Sequence, residues 1–360
     1  MKILLVNQHP QDTVGGSEIQ CDLIARHLAR AGHAVVYFAV QGTQASYQVS
    51  YVVEPGTFAR GGFKKILEKH RPDVIYWRLN RRHFLQSVLL CKRMGIKFVF
   101  AVSSWGDLHK WAYRIKTDRL TFREKLRIFY LHGRQSLATR FHYLGYYFVD
   151  GVVVQLDQQR HMLPGPKQIV IHNSVDATAA PFQWDKPFVA WIGTFKPIKN
   201  PELFIDLAWH FQHTGIDFLM VGEIQGRYKQ LLSRLSLPPN LHVLEFRPHQ
   251  EVNGLLQRAL FLVQTSDTEG FPNVFIQAWT QGTPTIGLYY DPDSMVQKNN
   301  LGFISGSFDR LVDDTKVLLD NPSLRKEMGQ RAKQFAEAHF VPEQNVRKLE
   351  AFLDEVCEVR

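Results

Sequence analysis

The sequence predicts a mixed α/β protein built on parallel, doubly wound sheets. Three observations carry this reading. Short apolar runs alternate with longer helix-like segments along the chain. The 360 residues are enough for two domains of ordinary size. The alternation pauses at one polar, proline-containing stretch, residues 182–187, and then restarts. Two α/β domains joined near residue 180 fit this pattern better than one.

The first strand is expected at residues 3–6, where the apolar run is too short for the core of an export signal. Strands at 34–39, 74–77 and 97–102 follow, with helix-like segments such as 18–31 and 82–94 between them. After the join, strands are expected at 188–192, 218–221, 241–244, 262–264 and 285–288. From about Ser323 onward the chain reads as helices. No periodic repeat or low-complexity tract interrupts the order, so each half reads as a Rossmann-like domain.

Composition narrows the partners. Lys and Arg number 43 against 34 Asp and Glu, a formal charge of +9. Such a balance suits an anionic partner: a phosphorylated ligand, an anionic membrane surface or a nucleic acid. No helix-turn-helix, RNP or zinc signature supports the last, so no nucleic acid is expected. Cys21, Cys91 and Cys357 lie far apart without a CxxC pair, which argues against a structural zinc site and a disulfide scaffold. No apolar stretch approaches the ~18 residues of a membrane helix. A cytoplasmic protein is expected, with any membrane attachment peripheral.

Three segments carry chemistry. The first runs Glu269-Gly270-Phe271-Pro272-Asn273-Val274-Phe275-Ile276-Gln277 and ends at Gly282-Thr283-Pro284. An acidic residue in a Gly/Pro turn precedes a short helix, which puts Glu269 on a loop and Gln277 about two turns deeper. The amides of residues 273–276 then sit at a helix N-terminus, a natural anion seat. The second, Thr13-Val14-Gly15-Gly16-Ser17-Glu18, follows the first strand. Paired glycines allow positive φ and close backbone approach, and Ser17 with Gln20 fits a capping box. A tight strand-to-helix turn alone also accounts for this loop, and its spacing does not match a dinucleotide fingerprint. The third spans residues 191–202, where a strand ends at Gly193, Lys196 and Lys199 follow, and a helix begins near Pro201. Cations at a strand's carboxyl end suit a pyrophosphate, with solvated loop lysines as the plain alternative, weaker for Lys199 than for Lys196.

Glu269 to Gln277 resembles the E-x7-E signature of retaining GT-B glycosyltransferases, in particular glycosyltransferase family 4. Gly15-Gly16-Ser17-Glu18 is similar to the GGxE loop of that family. Residues 170–176 are similar to its IPNGVD segment, 150–155 to its aDxvv strand, and 219–223 to its lvG turn. The resemblance covers nearly the whole chain. It implies two Rossmann-like domains facing an interdomain cleft: an acceptor domain over 1–180, a donor domain over 181–340, and a helix in 341–360 that crosses back to the first. It implies a nucleotide-sugar donor such as a UDP- or GDP-sugar, no metal and no further cofactor. Glu269 would hold the donor sugar, with Phe271, Pro272 and Asn273 shaping its loop. Lys199 matches the family's phosphate-binding lysine. Thr194 stands where the family has arginine, so that role passes to Lys196. Gly15 and Gly16 would approach the diphosphate. Gln277 replaces the carboxylate that usually holds the ribose.

The acceptor side departs from the family. Where a histidine is usual, the chain reads Ser103-Ser104-Trp105-Gly106-Asp107-Leu108-His109. Asp107 is the candidate acceptor-orienting or sugar-contacting carboxylate. His109 reads as a displaced imidazole or an ordinary loop residue, and Trp105 as a stacking or a packing side chain. Residues 110–140 are rich in bases with an apolar stripe at helical spacing, and aromatics recur over 143–148. A basic amphipathic helix on an anionic membrane and a helix packed on its own domain both fit. The implied activity is sugar transfer to a glycan, lipid-linked or other cell-envelope acceptor. A catalytically degenerate GT-B binding or partner protein and a GT-B sugar-nucleotide epimerase are the alternatives.

Overall fold

The structure is a computed structural model, and it describes residues 1–109, 140–165, 167–234 and 236–358. The chain divides into two compact units, one made of Met1–His172 with Pro342–Arg360, the other of Asn173–Val341.

Unit 1 is a seven-stranded parallel sheet. Its strands are β1 (Lys2–Asn7), β2 (Ala34–Val40), β3 (Val52–Gly56), β4 (Val74–Trp77), β5 (Lys97–Ala101), β6 (Gly151–Val154) and β7 (Gln168–Val170). They lie in the order β3-β2-β1-β4-β5-β6-β7. Side chains alternate across the sheet as strand geometry demands. Leu4 and Val6 face one core, beside α2 (Gly62–His70) and α3 (Phe84–Arg93). Ile3 and Leu5 face the other, beside α1 (Gly16–Arg30). The terminal helix (Pro342–Glu358) completes that second core with Val346, Leu349, Phe352, Leu353 and Val356. Their three- and four-residue spacing makes one apolar stripe.

Unit 2 repeats the plan with six strands: β8 (Phe188–Ile192), β9 (Asp217–Val221), β10 (Leu241–Leu244), β11 (Leu262–Gln264), β12 (Thr285–Gly287) and β13 (Gly302–Ile304). All pair in parallel, in the order β10-β9-β8-β11-β12-β13. Its helices are α4 (Pro201–His210), α5 (Arg227–Arg234), α6 (His249–Arg258), α7 (Asn273–Thr280), α8 (Met295–Lys298), α9 (Phe308–Asp320) and α10 (Pro322–His339). The terminal helix of unit 1 is therefore α11.

The nine strands expected from apolar runs all form, each within a residue or two of its expected ends. Strands β3, β7 and β13 were not expected, for a physical reason. All three are edge strands. The first carries Pro55 and alternates little, and the other two have three residues each. Proline is tolerated at an edge because no second neighbour needs its missing N–H.

One glycine sets how closely the β8 and β9 loops pack. Gly193 N donates to Val221 O at 3.0 Å. A Cβ on Gly222, whose φ is +153°, would lie 1.9 Å from Gly193 O. Both partners are backbone, so neither yields cheaply. Gly222→Ala is expected to lower the melting temperature by about 5 °C or more, read by thermal unfolding. A parent-like value would show that the two loops part without cost.

Candidate functional site

Strand β8 ends at Ile192 and the chain turns through a single 3-10 turn at Pro197–Lys199 before α4. The joint is Asn200, left-handed at φ 43°. Its side chain Nδ2 donates to Thr265 O at 3.1 Å and to Asp267 Oδ1 at 2.8 Å. Thr265 Oγ1 donates to Lys199 O at 2.6 Å and accepts from the indole of Trp191 at 2.9 Å. Asp267 N donates to Ile198 O at 3.0 Å. The loop after β8 is thus tied along its length to the loop after β11. Those two strands are neighbours whose chains leave in opposite directions, the place where a doubly wound sheet opens for a ligand.

The tie brings Lys199 and Glu269 together. Lys199 Nζ forms a short ion pair with Glu269 Oε1, with side chains 20% and 14% exposed. Ser266 Oγ donates to the same oxygen at 2.6 Å. A cation and a carboxylate are therefore held at the carboxyl ends of adjacent strands, half-shielded from water. Lys196 sits three residues away, exposed, and its side chain has no partner among the described residues.

The rest of the signature shapes this loop. Gly270 O accepts from Tyr290 OH at 2.8 Å. Phe271 is buried with its ring 5.6 Å from that of Phe340. Pro272 caps α7 and accepts from Phe275 N at 2.9 Å. Asn273 opens the helix, its Oδ1 accepting from Asn173 Nδ2 at 2.7 Å. Gln277 is buried and donates through Nε2 to Asn253 Oδ1 at 3.0 Å. Asn253 and Ser266 were not singled out in the sequence. A polar residue within an otherwise apolar helix face was the available signal for Asn253.

In unit 1 the glycine loop differs from expectation. Gly15 is the N-cap of α1, extended at φ −155°, and neither Gly15 nor Gly16 has positive φ. No capping box forms at Ser17. Its hydroxyl instead donates to Arg78 O at 3.3 Å and accepts from Asn7 Nδ2 at 3.1 Å. A Cβ at position 15 would stand 2.2 Å from Glu18 Oε2, the far end of a side chain that can swing aside.

Asp107 is buried, and its Oδ2 accepts from Ser103 N, Ser103 Oγ and Ser104 N at 2.9 Å each, and from Ser104 Oγ at 3.3 Å. The carboxylate is the anchor of its own turn. The Ser104-x-x-Asp107 spacing is that of a capping box, which was the sequence signal for this role. Trp105 packs against the unit 1 core. His109 O accepts from Arg81 Nη1 at 2.6 Å. The basic segment at 110–140 lies, apart from Arg140, outside the described residues. Of the aromatic cluster that follows, Tyr143 and Tyr146 are buried and Tyr147 and Phe148 are exposed, as are the neighbouring Phe141 and Leu144.

A buried histidine holds the loop ahead of the glycines. His9 Nδ1 accepts from Gln11 N at 3.2 Å, so the ring proton is on Nε2, which meets Tyr51 OH at 3.0 Å. Tyr51 OH donates to Asp22 Oδ1 at 2.6 Å. Asp12 accepts from Tyr47 OH at 2.7 Å and from Thr43 N at 2.8 Å.

Among the described residues, no group of three or more His, Cys, Asp or Glu could hold a metal ion, and no helix is long and apolar enough to cross a membrane.

Comparison with known structures defines the class. Anabaena HepE, solved with UDP and glucose, aligns over 99% of this chain and 100% of its own, with a TM-score of 0.74 at 18% identity. Sucrose-phosphate synthase from Thermosynechococcus elongatus aligns over 99% of both chains, with a TM-score of 0.77 at 16% identity. Two Rossmann-like units with such neighbours are a GT-B fold. Residues 176–335 match the family model for glycosyl transferases group 1. An uncharacterized glycosyltransferase of Methanocaldococcus jannaschii, MJ1178, is 24% identical over 183 residues. That match spans 47% of this chain and 49% of the relative, about half of its length. The structural likenesses show the GT-B fold.

Burial holds the His9 imidazole below its ordinary value, against a smaller opposing pull from Asp22 and Asp12. The unfolded chain then takes up a proton that the folded chain refuses. Stability from this group is complete above the ordinary histidine value of about 6.5 and is lost as pH falls below it. His9→Asn keeps an acceptor near the Nδ1 position and removes the titration. Its melting temperature is expected to fall less than the parent's between pH 7.5 and 5.5. Equal falls would mean that His9 is not the titrating group.

Proposed function

We propose that this chain is a retaining, family 4 hexosyltransferase that moves a sugar from a nucleotide-sugar donor, such as a UDP- or GDP-sugar, to a glycan, lipid-linked or other cell-envelope acceptor in polysaccharide biosynthesis. The observation that carries this reading is the Lys199–Glu269–Ser266 cluster. A lysine and a carboxylate at the carboxyl ends of β8 and β11 are the two charges a sugar diphosphate needs: a cation for the phosphates and an acceptor for sugar hydroxyls. Without a ligand they satisfy each other. In the complex, Lys199 turns to the diphosphate and frees Glu269 for the sugar. Ser266 keeps one carboxylate oxygen oriented.

The leaving diphosphate gathers negative charge as the glycosidic bond breaks. Lys199, the exposed Lys196 and the α7 amides next to Phe271, Pro272 and Asn273 are assigned to stabilise it. No metal ion or further cofactor is given a role in this reading. Gly15 and Gly16 are assigned to the diphosphate as backbone donors at the start of α1. Attack by the acceptor on the face the leaving group departs from gives retention. Asp107 is given a positioning role, since its Oδ2 accepts from Ser103 and Ser104. Peripheral association with the cytoplasmic face of an anionic membrane is proposed too. The exposed Phe141, Leu144, Tyr147 and Phe148 beside Arg140 support it.

Lys199→Ala is expected to weaken UDP or GDP binding by roughly 10–100-fold, given the strength of charge-assisted hydrogen bonds. Calorimetry with both nucleotides measures this. Glu269→Gln is expected to lower transfer far more than nucleotide affinity. Unchanged affinity in the first variant removes Lys199 from the site. Transfer left intact in the second removes Glu269 from the donor sugar. Binding by the parent without any product would favour the degenerate binding protein.

A further inference from the structure

The second acidic position of the E-x7-E pattern is an amide in this chain, and the structure supplies a cause that involves no ligand. Gln277 is 6% exposed and lies one turn into α7. Asn253, fully buried on α6, donates through Nδ2 to Asp176 O and to Thr178 O, both at 2.8 Å. Those carbonyls belong to the extended stretch 173–180, which runs along α6 and α7. It is anchored further by Ala180 N on Gln250 O at 2.9 Å, Gln281 Nε2 on Ala177 O at 2.9 Å and Asn173 Nδ2 on Asn273 Oδ1 at 2.7 Å.

An asparagine amide has two N–H groups, and Asn253 commits its nitrogen to two carbonyls. Its orientation is thereby set, and Oδ1 must face position 277. The residue there has to donate. Glutamine donates at 3.0 Å. A glutamate would set an ionised oxygen against Oδ1 in a site that water barely reaches, where an unpaired charge is costly.

We propose that Gln277 and Asn253 form a donor–acceptor couple that positions α7 against the 173–180 stretch, so that position 277 acts by positioning rather than by contact with the ribose. It bears on the proposed donor site only because α7 follows the Glu269 loop. Asn253 joins the site as a positioning residue that acts through Gln277.

Gln277→Glu separates this from the ribose assignment, with ligand-free melting temperature and UDP and GDP affinity both measured at pH 7.5 and 5. The ionised carboxylate is expected to lower the melting temperature by roughly 5 °C at pH 7.5. Burial raises the value at which a carboxyl ionises, so at pH 5 the protonated acid donates to Asn253 Oδ1 and most of the loss is recovered. Nucleotide affinity at pH 7.5 is expected to be no tighter than the parent's. Gln277→Met lacks a donor and is expected to lose stability equally at both pH values. A parent-like melting temperature for Gln277→Glu at pH 7.5, or for Gln277→Met at either pH, overturns the couple. Tighter nucleotide binding by Gln277→Glu at pH 7.5 also overturns it, and assigns the residue to the ribose. Should Gln277→Glu stay unfolded at both values, the Gln277→Met result decides. Because melting is read without ligand, its outcome stands whether or not the chain transfers sugar.

Discussion

Every strand pair in both sheets is parallel, and that constraint governs where chemistry can sit. A parallel strand cannot return through a tight turn, so each connection must cross the sheet. All the strands of a sheet then deliver their carboxyl-end loops to the same side. Within unit 2 the chain winds one way from β8 to β10 and the other way from β11 to β13. The loops after β8 and β11 diverge there, and the cross-links from Asn200 and Thr265 hold them at a defined separation. Lys199 and Glu269, 70 residues apart in sequence, meet because of that arrangement.

Two carboxylates of similar appearance in the sequence end in different states. Asp107 accepts four short-range donors from the two serines just before it. All four donors lie in the same turn, so these bonds fix the shape of that turn. Glu269 faces the Ser266 hydroxyl of its own loop and a lysine 70 residues away in sequence. A half-buried pair of this kind gives up little when a ligand supplies replacement charges for both partners, which is the condition for exchanging them. The two carboxylates differ in whether their charged or donating neighbours are local or include a distant lysine.

Two buried polar groups, one in each unit, are engaged in the same manner. His9 is fully buried, yet its two ring nitrogens have a donor and a hydroxyl in reach. Asn253 spends its amide on the backbone and on Gln277. Such networks specify one arrangement because any alternative leaves a buried group unsatisfied. In both cases the segment held is a loop or stretch next to candidate binding residues: the run before Gly15 in unit 1, and residues 173–180 beside α7 in unit 2.

Much of this was legible in the residues alone. Buried parallel strands are short, continuous and apolar, so β1, β2, β4 and β8 announce themselves, and the loops with glycine and lysine follow at their ends. Glu269, Lys199 and the turn at Phe271-Pro272-Asn273 were found from local chemistry, because helix starts, turns and charge at a strand end are local properties. The edge strands β3, β7 and β13, the extended φ of Gly15 and the partner of Gln277 were not. Each depends on which groups come within hydrogen-bonding range once the chain has folded. Spacing along a chain sets which side of a helix a residue occupies. Whether that side meets a lysine, an amide carbonyl or water is decided by the packing of the neighbouring elements, and with it whether the residue binds, anchors or must stay neutral.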